Sequence, residues 1–207
     1  MTNSKENTQF LFKWVGFNGL TFVAGLLVSF ILGFLIFFGP MGYSSYEDTG
    51  TPLEQALMMI AGCIIVGTGL GIVQKKLLSR FFKVSFYWII SIPVALVVVE
   101  LALFSVSSLV NMEARQETGY VTNVVIFSVY GLVIGLFQFF VLAKYHRNSL
   151  LWVLSNFLAL GLGTCIAGSV QDDPLKIATF VAGVLVYGII TGLSLLWIFK
   201  GKKLKFK

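Results

Sequence analysis

This 207-residue chain is poor in charge, histidine and cysteine, and each shortage removes a class of chemistry. Only 12% of residues are charged against 57% hydrophobic, far from the mix of a soluble globular domain. The single histidine, His146, sits in the run Lys144-Tyr-His-Arg147, so no imidazole pair can hold a metal and none lies at membrane depth to activate a serine. Cys63 and Cys165 are isolated thiols without Cys-x2-Cys spacing and read as small packing residues. Asp172-Asp173 supplies too few oxygens for a cation site and reads as a pair of helix-start acids. These absences argue against hydrolytic or metal-dependent catalysis, and the expectation is a non-enzyme without cofactors.

Apolar sequence fills the space left by chemistry. Six stretches, at about 15–38, 56–73, 86–110, 121–143, 150–170 and 177–199, approach the length of a bilayer span. An apolar helix of about 20 residues crosses roughly 30 Å of hydrocarbon. Spans and short loops consume nearly all the length, so the chain reads as one domain, 1–207, an all-α membrane protein of six transmembrane helices. The first stretch is too long for a signal-peptide core and lacks a small-residue cleavage site after it, so it reads as an uncleaved anchor.

The formal net charge of +6 suggests orientation rather than nucleic-acid binding, because the charges are sorted between alternate loops. One side carries Lys5 and Lys13, then Lys75, Lys76, Arg80 and Lys83, then Lys144 and Arg147, and last a basic tail over 200–207. The other holds Glu47, Asp48 and Glu54, then Glu113, Arg115 and Glu117, then Asp172, Asp173 and Lys176. The positive-inside rule makes the basic side cytoplasmic, with both termini there, in a bacterial-type cytoplasmic membrane. The basic tail suits an anionic leaflet.

An internal repeat is also present. Gly67-x3-Gly71-x2-Gln74 recurs as Gly131-x3-Gly135-x2-Gln138, and at the same displacement Leu78 matches Leu142, Trp88 matches Trp152 and Ser91 matches Ser155. A weaker copy, Gly188-x3-Gly192, has Leu195 where the others have glutamine. Odd-numbered spans repeat too, with Trp14 and Asn18 spaced like Trp152 and Asn156. The simplest description is three tandem two-helix hairpins, at about 12–74, 84–138 and 150–199. Each would point the same way through the membrane, with any pseudo-symmetry axis along the bilayer normal. Thr51-Pro52-Leu53-Glu54 and Asp173-Pro174 have the form of helix starts.

On a helix, each Gly-x3-Gly-x2-Gln lines up two flat patches and one amide. Small residues let helix backbones approach closely, and an amide in lipid can hydrogen-bond across helices for roughly 1 kcal/mol. The stripes therefore read as helix-packing seams, and a sharper reading puts Gln74 and Gln138 at the cytoplasmic mouth of a polar pathway with Asn18 and Asn156. Trp14, Trp88 and Trp152 fall at cytoplasmic span ends, where indoles anchor at the interface.

Glu100 is the only acid inside any of these spans, about 14 residues in, or roughly 21 Å from the inner end. No Lys or Arg lies within a span to pair with it, so it is either a protonated group bonded to a neighbouring helix or a proton- or cation-responsive site lined by Ser105, Ser107 and Ser108.

At the level of motif, the Gly-x3-Gly-x2-Gln…Leu…Trp hairpins resemble those of small uncharacterised bacterial multi-pass membrane proteins, a resemblance that covers most of the chain and implies no chemistry. Three two-span repeats are also similar to mitochondrial carriers, but Pro93 lacks that family's Pro-x-Asp/Glu-x2-Lys/Arg sequence. The size is similar to that of the substrate-capturing subunit of energy-coupling-factor transporters, whose Ala-x3-Ala docking motif is absent from the first span. The expectation is a non-catalytic membrane subunit or accessory protein that packs against a membrane-protein partner or a second copy of itself. A small transporter or solute-binding subunit with a polar cavity at Glu100 is the alternative.

Overall fold

The computed structural model describes residues 4–37, 52–109, 119–169 and 173–199, and side-chain facts are confined to 5–32, 57–105, 119–169 and 175–199. The acidic-loop residues Glu47, Asp48, Glu113, Arg115, Glu117 and Asp172, the side chains of Glu54, Ser107, Ser108 and Asp173, and the tail over 200–207 lie outside these. Six helices make up the described fold: α1 (Ser4–Phe37), α2 (Pro52–Leu78), α3 (Tyr87–Leu109), α4 (Gly119–Leu142), α5 (Leu150–Ala167) and α6 (Asp173–Ile198). Each contains an apolar segment of 18 to 28 residues, long enough to cross a membrane. The protein is an all-α, multi-pass membrane protein.

The helices run beyond the apolar spans. α1 begins at Ser4, well before the hydrophobic stretch, and α2 continues through Lys75 and Lys76, since nothing in either extension breaks the helix. α2 starts at Pro52, where proline's missing N–H costs nothing because the first helical N–H groups have no intrahelical partner.

Packing follows chain order. Each helix lies against the next, and α6 packs back against α1 to close a ring. Contact is most extensive for α4–α5, α5–α6 and α2–α3, and least extensive for α3–α4 and α1–α6. Glycine explains much of this. A Cβ built on Gly71 would lie 2.6 Å from the Ile89 carbonyl oxygen of α3, and one on Gly67 would lie 2.7 Å from the Pro93 Cα. Pro93 has no N–H to offer Ile89, so that carbonyl is freed from the helix ladder and rests on the bare Gly71 instead. In α4, Gly131 abuts the Asn156 carbonyl, and a Cβ on Gly135 would come within 2.7 Å of the Val153 Cα. In α6, Gly188 faces Val15, and Gly192 faces Leu11 and Trp14. These contacts group α2 with α3, α4 with α5 and α6 with α1. The hairpins read from the sequence group α1 with α2, α3 with α4 and α5 with α6.

Candidate functional site

The polar groups of the spans converge near the basic end, inside the ring. Trp88 sits on the first turn of α3 and Gln74 on the last turns of α2, so the basic turn folds the indole back onto the amide: its Nε1–H donates to Gln74 Oε1 at 3.2 Å. The same arrangement recurs across the next basic turn, where Trp152 Nε1–H donates to Gln138 Oε1 at 2.7 Å. Gln138 Nε2–H donates to Gln74 Oε1 at 3.2 Å, joining the two. Gln74 Nε2–H donates to Asn18 Oδ1 at 2.9 Å, and Asn18 Nδ2–H is held by the Trp14 carbonyl at 2.7 Å. Asn156 Nδ2–H is likewise held by the Trp152 carbonyl at 2.8 Å, while its Oδ1 accepts from the Tyr187 hydroxyl at 3.3 Å.

The third indole resolves the missing glutamine. Trp14 Nε1–H donates to Thr191 Oγ1 at 3.0 Å, one helical turn before Leu195 on α6. Leu195 is fully buried against the aromatic layer, so a hydroxyl replaces the third amide and an apolar side chain fills the remaining space. Neither Thr191 nor Tyr187 was marked by the repeat, because each stands out of register with the glutamines.

All eight of these residues (Trp14, Asn18, Gln74, Trp88, Gln138, Trp152, Asn156 and Thr191) are at most 2% exposed. This corrects the reading of Trp14, Trp88 and Trp152 as interface anchors. They fall at the expected depth but point inward, because each N–H is matched by an acceptor inside the ring and their rings pack together at 5.9 Å (Trp88 on Trp152) and 6.1 Å (Trp14 on Trp152). The indole exposed near the basic end is Trp197, 56% exposed, which the repeat pattern passed over. Beneath the indoles, Phe10 of α1 meets Phe81 of the α2–α3 turn edge-to-face at 4.7 Å, Phe81 stacks on Phe199 just past α6 at 4.9 Å, and His146 packs edge-on against Phe199 at 4.6 Å. Gln74 and Gln138 therefore sit behind a layer of aromatic rings, on the bundle's interior side.

Glu100 is elsewhere. It is half-buried on the half of α3 away from the basic end, and its carboxyl accepts the hydroxyl of Tyr130 on α4. Ser105 does not join it in the hydrogen bonds described; its hydroxyl donates to the Leu101 carbonyl of its own helix and it is exposed. Tyr130, the residue just before Gly131, carried no sequence signal as Glu100's partner. Two grooves open on the bundle's surface, one between α3 and α4 at the basic end and one along α4 and α5, and Glu100 lines neither. Among the described residues, no three His, Cys, Asp or Glu side chains come together in a way that could hold a metal.

Fold and site together define a six-helix membrane protein in which the buried glutamine amides and the indoles beside them are bonded to one another. Compared with known protein families, curated proteins and solved structures, the chain matches none.

Proposed function

We propose that this protein is a non-catalytic integral membrane subunit or accessory protein that works by packing against a membrane partner. One observation carries the reading: the amides and indoles that could have lined a pathway are bonded to each other behind an aromatic layer, leaving apolar helix surface for outside interactions. α1 offers the most of that surface. In its apolar window only 6% of residues are buried within the chain, against 28–39% in the other helices. The stripe glycines of α2, α4 and α6, each set against the next odd-numbered helix around the ring, support a tandem repeat. On the positive-inside rule the basic end and both termini face the cytoplasm, as in a bacterial-type inner membrane.

The test is purification in mild detergent with and without bulky polar substitutions on the exposed α1 face, at Phe12, Leu20 and Leu27. A stoichiometric membrane protein or second copy lost from the α1 variants, with the fold intact, is the expected result. A solitary monomer unaffected by all three removes the reading.

A second reading, a small transporter or solute-binding subunit, is favoured by Glu100, an acid at mid-helix on a less extensive seam. It requires a flux or ligand affinity in proteoliposomes that Glu100→Gln abolishes.

A further inference from the structure

The α3–α4 seam is built differently from its neighbours. α3 has no glycine, and the α4 glycines Gly131 and Gly135 face α5, so none lets these two backbones approach closely. Near the basic end a groove of about 440 Å³ opens between the two helices. Its lining changes with depth. Lys144, Tyr145 and Ser85 lie at the mouth, and Ile90, Val94 and Phe137 line the deeper part. From Phe137 to Lys144 the groove follows seven residues, about 10 Å along a helix axis, the distance from headgroup level into the upper acyl chains.

The mouth is also one-signed. The two turns that frame it carry Lys75, Lys76, Arg80, Lys83, Lys144 and Arg147 and no acid. The Tyr145 hydroxyl donates to the Lys83 carbonyl at 3.0 Å, tying the turns together across the seam. The groove along α4 and α5 lacks this gradient, being lined by Leu132, Leu150, Leu151, Val153, Leu154 and Phe157 alone.

We propose that the α3–α4 groove is a binding site for one anionic phospholipid, its phosphate held by Lys144 at the mouth and the upper part of an acyl chain laid between Ile90, Val94 and Phe137. Charge complementarity selects the headgroup, and the apolar floor at hydrocarbon depth selects a lipid over a soluble anion. The inference rests on the chain being membrane-embedded and is independent of any protein partner.

The experiment is native mass spectrometry of the full chain, released from detergent after incubation with phosphatidylglycerol, phosphatidylcholine or glycerol 3-phosphate. One retained phosphatidylglycerol, in preference to phosphatidylcholine, is expected. Lys144→Gln, at an exposed position, should weaken that retention about fivefold, the effect of one basic residue beside an anionic group. Lys13→Gln, which removes the same charge from the basic end on α1, away from the groove, should leave it unchanged. Val94→Trp should block both lipids by filling the floor. Equal weakening by Lys13→Gln would show diffuse attraction to the basic end and overturn the site. So would retention of glycerol 3-phosphate as strong as that of the lipid, or unaltered lipid binding in both Lys144→Gln and Val94→Trp.

Discussion

The α4–α5 and α3–α4 seams share a helix, yet they are built on opposite principles. Between α4 and α5, Gly131 and Gly135 let backbone meet backbone, and Gln138 with Trp152 secures the basic end by a hydrogen bond of 2.7 Å. Between α3 and α4, no glycine brings the backbones together, Glu100 and Tyr130 join the half away from the basic end, and a groove opens at the basic end. Helix association in lipid lacks a hydrophobic driving force between apolar surfaces, so it depends on close van der Waals packing and interhelical hydrogen bonds. A seam with both is fixed, and a seam with only the second has space for another molecule.

The contrast breaks most readily at the glycines. Gly131→Leu and Gly135→Leu push a side chain into the α5 backbone, which cannot swing aside as a flexible side chain would. Each should cost about 1–3 kcal/mol, Gly131 at the upper end. Thermal melting in detergent measures this, with Gly16→Ala as the control: a Cβ there meets nothing within 4 Å and should change stability by less than about 0.5 kcal/mol. Equal melting of Gly131→Leu and wild type would remove the close-packed seam.

The indole–amide bonds come next. Gln138→Leu leaves the Trp152 N–H buried without its acceptor, at a cost of about 1–2 kcal/mol. Trp152→Phe in the same chain removes the orphaned donor, so the double variant should be less damaged than the sum of the single ones. Strict additivity would mean that the bond is not a unit of stability.

The smallest effect is expected at the glycine-free α3–α4 seam. Glu100→Gln keeps an oxygen that can accept from Tyr130, and should shift stability by less than about 1 kcal/mol. Tyr130→Phe removes the donor and should be the more damaging of the two. A Glu100→Gln variant that fails to fold would give the acid a structural weight that the half-buried geometry does not.

The six helices were legible because long apolar runs separated by short charged loops admit few other solutions. The glycine stripes were legible as faces, because spacing along one helix is a local property. What they face was not. The repeat suggested two-helix hairpins, and Gly25 against Val66 and Gly163 against Gly183 do join α1 to α2 and α5 to α6, while the stripe glycines of α2, α4 and α6 face across the basic turns and from α6 back to α1. The direction of the three tryptophans was misread for a related reason. Depth in the membrane is written in the sequence, but whether an indole at that depth points to lipid or to the bundle centre depends on acceptors supplied by other helices. Thr191 is such a partner, reaching Trp14 from α6 at the far end of the chain, and Tyr130 reached Glu100 without any local signal.

The most direct test of the sealed polar core is thiol accessibility in native membranes, with Cys63 and Cys165 replaced by alanine and single cysteines placed at Gln138, at Leu195 on the same level of α6, and at Lys144 on the basic end. The expected result is rapid modification at Lys144→Cys by a membrane-impermeant reagent applied from its own side, with Gln138→Cys and Leu195→Cys unreactive. Modification of those two as fast as Lys144→Cys would mean that water reaches the amides, and would contradict a closed, packing-based bundle.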